Sequence, residues 1–225
     1  MKHYDSIPRI QDDGTLKGEI VWGYNKLDGQ NFCVTYNNRK KTWGPYGSRT
    51  VTVDENSEQF GVVVKFFNES GYKEKLANAV KEHSGKKEVF NGVDEITFFF
   101  EWYGDNSFAG KHQEGDKMHL ALIDVSLKKK GYMEPKDYET IFRPTLVEMP
   151  FLCYVGTLNQ EEIERVQNED WTEHPDDFPV IKEGIVFKRS TLLKGQRRPS
   201  VKVKTKWWLD KLHSIYSEEE CKKLE

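Results

Sequence analysis

Eight short runs rich in valine, isoleucine, phenylalanine, tyrosine and tryptophan recur along the chain, and they limit the possible folds more than any other feature. They cover residues 19–25, 32–36, 60–67, 95–103, 118–125, 151–155, 184–188 and 201–205. β-Branched and aromatic side chains fit a pleated, half-buried surface, so each run is expected to be a strand. Helical signals are fewer. Ser70 stands before a helix reaching about His83, with Tyr72, Leu76, Ala79 and Val80 on one face and Gly85 beyond its end. Asn159 with Glu162 has capping-box spacing for a helix near 161–167, and Ser217 with Glu220 has it for a last helix. Strands with helices between them, but no regular βαβ alternation, read as an α+β fold with mainly antiparallel sheets.

Lys26-Leu27-Asp28-Gly29-Gln30-Asn31-Phe32 lies between the first two runs. Asp-Gly between apolar runs predicts a hairpin, because glycine takes a positive φ without a steric cost. A lysine held at a strand end can point into a cleft; a solvated lysine on a surface hairpin is the plainer reading. Three downstream elements bear on that choice: Phe100-Glu101, then Glu183-Gly184-Ile185-Val186-Phe187-Lys188, then Lys202-Val203-Lys204.

This ordered set resembles the covalent nucleotidyltransferases, the group of DNA ligases, RNA ligases and mRNA-capping guanylyltransferases. They share a K-x-D-G element, a strand with a glutamate, an E-G-x-V-x-K element and a K-x-K element. Asn31-Phe32 and the stretch Glu101-Trp102-Tyr103-Gly104-Asp105-Asn106-Ser107-Phe108-Ala109-Gly110 are similar to the RNA-repair and RNA-editing ligase branch. DNA ligases and capping enzymes usually carry arginine where Asn31 stands.

The resemblance implies a nucleotidyltransferase domain, the ATP-grasp-like adenylation domain of ligases, over residues 1–225, with 207–225 a short helical extension and no C-terminal OB domain. It implies ATP and Mg²⁺ as cofactors, with Mn²⁺ as a substitute. Lys26 becomes the nucleophile that takes AMP from ATP and passes it to an RNA 5′-phosphate. A free lysine titrates near about 10.4, so burial and neighbouring cations are expected to lower Lys26 and free its lone pair. Asp28, Gly29, Asn31, Arg49, Glu101, Leu120, Lys188, Lys202 and Lys204 become the ATP-binding set, with Arg39 competing for the role given to Arg49. Glu183 and Glu101 become the carboxylates that organise the metal. Glu183 otherwise reads as a solvated loop charge. Leu120 occupies the position at which the family normally stacks an aromatic ring on adenine, so the base meets an aliphatic face or a different aromatic.

The chain carries 36% hydrophobic residues and a net charge of −3, so it folds around a core and any nucleic-acid contact is local. The segment 188–206 holds Lys188, Arg189, Lys194, Arg197, Arg198, Lys202, Lys204 and Lys206 with no acidic residue. Arg197 and Arg198, beside Gly195 and Pro199, are expected to contact the backbone of broken or nicked RNA, with DNA as the alternative. Only 21 residues follow Lys204, so the final helix packs on the core or docks a protein partner in place of a missing domain. Three widely spaced cysteines without a C-x-x-C pair imply a reducing, cytoplasmic setting. No apolar run approaches the length of a membrane span.

Overall fold

A computed structural model describes residues 3–168, 181–191 and 199–224. In chain order the elements are β1 (Ile20–Asn25), β2 (Gln30–Asn37), β3 (Thr42–Ser48), β4 (Thr52–Val53), α1 (Gly61–Glu69), α2 (Tyr72–Glu82), β5 (Glu95–Gly104), β6 (Met118–Leu127) and β7 (Gly131–Tyr132). Then follow α3 (Pro135–Phe142), β8 (Leu152–Thr157), α4 (Gln160–Gln167), β9 (Gly184–Arg189), β10 (Ser200–Lys204), α5 (Lys206–Ile215) and α6 (Glu218–Leu224). The strands form two antiparallel sheets, in the orders β10-β9-β1-β8 and β4-β3-β2-β5-β6-β7.

Each sheet packs one face against helices, and the other face of the larger also buries Cys33 and Phe99 against Tyr132. The larger packs Phe32, Phe98, Phe100 and Leu122 against Val63, Phe67, Leu76 and Phe142 of α1, α2 and α3. The smaller packs Val21, Ile185, Phe187, Val201 and Val203 against Ile163 and Val166 of α4. Trp208 and Leu212 of α5 form a third cluster with Phe108 and Cys221. No helix among the described residues is long and apolar enough to cross a membrane.

Several sequence expectations change here. β1 and β2 do not form a hairpin. They belong to different sheets, and residues 26–29 are the crossing between them. Gly29 is needed for a close approach rather than for a positive φ, since a Cβ there would overlap the Trp102 carbonyl of β5. The run 60–67 is a helix, not a strand: Val63, Val64 and Phe67 are buried while Val62 is 57% exposed. The burial repeat is helical, and packing overrides the β preference of Val-Val-Val. Ser70 closes α1 instead of opening the next helix, which starts after Gly71 at φ 77°. Asn159 does cap α4, accepting from Glu162, and Ser217 and Glu220 bond each other at the head of α6.

Candidate active site

Period-two alternation builds the site. Several strand residues that point away from the cores face a shared cavity of about 940 Å³. Lys26 and Asn31 reach it from the crossing and the start of β2, Glu101 from β5, Val186 and Lys188 from β9, and Lys202 and Lys204 from β10. Arg49 lines it from the turn between β3 and β4. Arg39 instead pairs with Asp94 at 2.5 Å and is absent from the cavity wall, which separates the two candidates.

Glu183 is the hub. It is 3% exposed, and its carboxylate accepts from Lys26 Nζ at 2.8 Å and lies 3.1 Å from Lys204 Nζ. The backbone fixes this geometry. The Lys26 amide donates to the Gly184 carbonyl at 2.7 Å, and the Thr205 amide donates to the Glu183 carbonyl at 3.0 Å. Gly184 sits at φ 148°, and a Cβ there would overlap the Val203 carbonyl, so only glycine lets β9 and β10 approach closely enough.

These contacts reverse one expectation. Burial alone would lower the pKa of Lys26. Glu183, Glu101 and Asp28 outweigh it, and Lys26 stays above the ordinary lysine value. Ligand-free Lys26 is therefore an ammonium. Glu101 moves the other way: burial, only partly offset by Lys26, pushes it up to about 7. Burial lowers Lys202 and Lys204 to about 8. Lys204 loses ground to Lys26 because one carboxylate serves both ammoniums; Asp28 supports both, and Lys26 has Glu101 besides.

Asn31 lies opposite Glu101 in the β2–β5 register and donates to the Phe100 carbonyl at 3.2 Å. Its Oδ1 is buried with no hydrogen-bond partner, so an acceptor is left at the cavity wall. Asp28 departs from its ligand-binding expectation. Its carboxylate accepts from the amides of Ala109 and Gly110 and from Trp208 Nε1, at 2.7–2.8 Å, so it fastens the fold around the site. Lys188 likewise is held inside the wall, its ammonium bonded to the Ile123 carbonyl and 3.2 Å from Asp124. Leu120 is a correction. It is fully buried in the larger core, and Ile123 is the β6 residue that lines the cavity. A bulge between Phe99 and Phe100 shifts the β5–β6 register and exchanges the faces. Arg197 and Arg198 lie outside the described residues.

Trp208 was missed from the sequence. It is 1% exposed, with its ring centre 3.4 Å from Lys204 Nζ. Its signal was Thr205, which caps α5 by accepting from the Trp208 amide, followed by Trp208 and Leu212 at i, i+4.

Among the described residues no group of three or more His, Cys, Asp and Glu has metal-holding geometry. Two carboxylates, Glu101 and Glu183, do face one cavity. That donor set suits a hard cation that keeps most of its waters, which is how Mg²⁺ binds.

A family model described as RNA ligase matches residues 19–204. A search of curated proteins finds no match. An apo variant of the Naegleria gruberi RNA ligase superimposes with a TM-score of 0.61 at 17% identity, over 95% of this chain and 58% of that one. A variant of that ligase with ATP and Mn gives 0.60 at 17% identity, over 94% and 57%. A variant with AMP and Mn gives 0.60 at 16%, over 94% and 58%. At such identities the likeness establishes the fold, and this chain spans under two thirds of those ligases. The family model runs from before the Lys26 crossing to Lys204, the stretch that carries the Lys26–Glu183–Lys204 bridge, and the chain belongs to the RNA ligase family.

Proposed function

We propose that this chain performs the adenylyl-transfer chemistry of an ATP-dependent RNA ligase, joining a 5′-phosphate to a 3′-hydroxyl. One observation carries the reading: Glu183 bridges Lys26 and Lys204 on a cavity where Arg49 and Lys202 add further positive charge. An anionic triphosphate fits such a wall. Ile123, Val186 and Pro150 offer apolar surface to adenine, and the open Oδ1 of Asn31 offers an acceptor to a ribose hydroxyl.

Once deprotonated, Lys26 Nζ attacks the α-phosphorus of ATP. A P–N bond forms, the α–β phosphoanhydride breaks and pyrophosphate leaves. The RNA 5′-phosphate then takes AMP from Lys26, giving a 5′–5′ anhydride and restoring the amine. A 3′-hydroxyl displaces AMP and closes the phosphodiester. Glu183 and Glu101 would hold a Mg²⁺ or Mn²⁺ ion, which would supply positive charge that favours the neutral Lys26 amine and offsets charge on the α-phosphate. Lys202 and Lys204 hold the phosphate oxygens in place while charge shifts to the leaving group. RNA is favoured over DNA by Asn31-Phe32, and Arg197 and Arg198 remain the proposed backbone contacts. A protein partner supplies the rest of the RNA grip in this reading. Cys33, Cys153 and Cys221 are all free, in keeping with a reducing compartment.

The test is intact mass after incubation with ATP and Mg²⁺, followed by nicked RNA and DNA duplexes. One AMP on the wild type, none on Lys26→Ala, and sealing of RNA in preference to DNA are expected. An unchanged wild-type mass would refute the reading, and an adduct on another lysine would refute the assignment of Lys26.

A further inference from the structure

Most of the cavity's cations are already engaged. Lys26 and Lys204 share Glu183, Lys188 faces Asp124, and Arg9 pairs with Asp12. An incoming polyanion meets Lys202, Arg49 and the cations that α6 brings, Lys222 and Lys223. Lys223 lies 2.8 Å from Glu219. Lys222 is exposed, lines the cavity and has no ion-pair partner among the described residues.

The position of α6 is fixed from two sides. Cys221 is 1% exposed, with its Sγ toward the carbonyls of Leu212 and Tyr216. The Leu224 carbonyl accepts from Lys204 Nζ at 3.1 Å. A continuous chain of hydrogen bonds thus runs from Lys26 through Glu183 and Lys204 to the last turn of α6. That makes α6 one wall of the nucleotide cavity.

We propose that α6 delivers Lys222 to the polyphosphate of the bound nucleotide, where its ammonium binds the pyrophosphate leaving group. This deepens the ligase reading and rests on it. With the α-phosphorus at Lys26, the β- and γ-phosphates must extend toward cations not already paired. As the α–β bond breaks, negative charge collects on the departing pyrophosphate, and a nearby cation stabilises it. A lysine on a flexible stem suits a group that must then leave. AMP carries no β- or γ-phosphate, so Lys222 has no part in its binding.

The experiment titrates inorganic pyrophosphate, and separately AMP, into wild type, Lys222→Ala and Lys222→Arg by calorimetry, and measures the ATP dependence of adduct formation. Lys222→Ala should bind pyrophosphate about fivefold more weakly, the size of one exposed charged contact, and raise the KM for ATP similarly. AMP affinity should not change, and Lys222→Arg should restore most of the loss. Equal pyrophosphate affinity in wild type and Lys222→Ala, both melting alike, would overturn the proposal, as would an equal loss for AMP. A wild type that binds pyrophosphate through Lys222 yet forms no adduct keeps the contact and rejects the ligase reading.

Discussion

The Trp208 indole donates a 2.8 Å hydrogen bond to Asp28, 180 positions earlier in the chain. The same ring lies 3.4 Å from the Lys204 ammonium, measured to its centre. One side chain of α5 therefore ties the crossing that carries Lys26 to the strand that carries Lys204. Asp28 extends the tie to Ala109 and Gly110. The C-terminal helices are thus part of the cavity wall.

Trp208→Phe and Trp208→Ala separate the two contacts. Phenylalanine keeps a ring under Lys204 and removes one charged hydrogen bond, at a cost of about 1–3 kcal/mol. Alanine removes both contacts and opens a core cavity, costing about 3–5 kcal/mol. At a temperature where both variants are folded, Trp208→Phe should adenylylate within about threefold of wild type and Trp208→Ala at least about tenfold slower, since an off-axis Lys204 misplaces the phosphate. Equal rates in the two folded variants would show that the ring over Lys204 takes no part.

From the sequence Glu183 is expected to organise a metal rather than to support the fold. Buried between two lysines, it also supports the fold. Removing one partner of a buried pair typically costs about 3–5 kcal/mol, because the other charge stays desolvated. Glu183→Ala is expected to abolish adenylylation and to lose stability of that order in chemical denaturation at pH 7. The deficit should shrink as pH rises toward about 8, because Lys204 without Glu183 gives up its proton earlier than in the wild type and then needs no counter-charge. A deficit that grows with pH would contradict the bridge.

Strand parity made much of the site legible. Val201 and Val203 go to the core, and Lys202 and Lys204 face the cavity, as a period-two reading requires. What sequence spacing could not reveal was tertiary. No local signal shows that Glu183 meets Lys26, 157 positions away, and that contact reverses the direction of the Lys26 pKa. The β5–β6 bulge is equally silent: it exchanges Leu120 for Ile123 at the cavity, because a one-residue slip turns side chains to the other face. The strand β3 was missed because Gly44, Pro45 and Gly47 interrupt its pattern. The helix α3 did carry a signal, with Pro135 at its first turn and Tyr138, Ile141 and Phe142 at helical spacing.

Glu101 offers a test in which stability and activity move in opposite directions. An unfolded glutamate releases its proton near about 4.3. In the fold, burial holds the proton until about pH 7. Between those values the native state binds more protons than the unfolded chain, so this group's contribution to stability falls as pH rises. At pH 8 the native state carries a desolvated carboxylate that only Lys26 and Arg49 offset. Glu101→Gln removes that charge and keeps the shape. It should raise the melting temperature at pH 8, by about 2–4 °C for each kcal/mol relieved in a chain of this size. The gain should shrink as pH falls through about 7 and vanish only below about 4.3, where the wild-type side chain is neutral in both states. Adenylylation should fall by at least about tenfold, since the cavity loses one of the two carboxylates proposed to organise the metal. In the wild type the same ionisation should make adenylylation decline as pH drops below about 7. A Glu101→Gln protein less stable than wild type at pH 8, or equally active, would show that Glu101 is a structural residue satisfied by its neighbours.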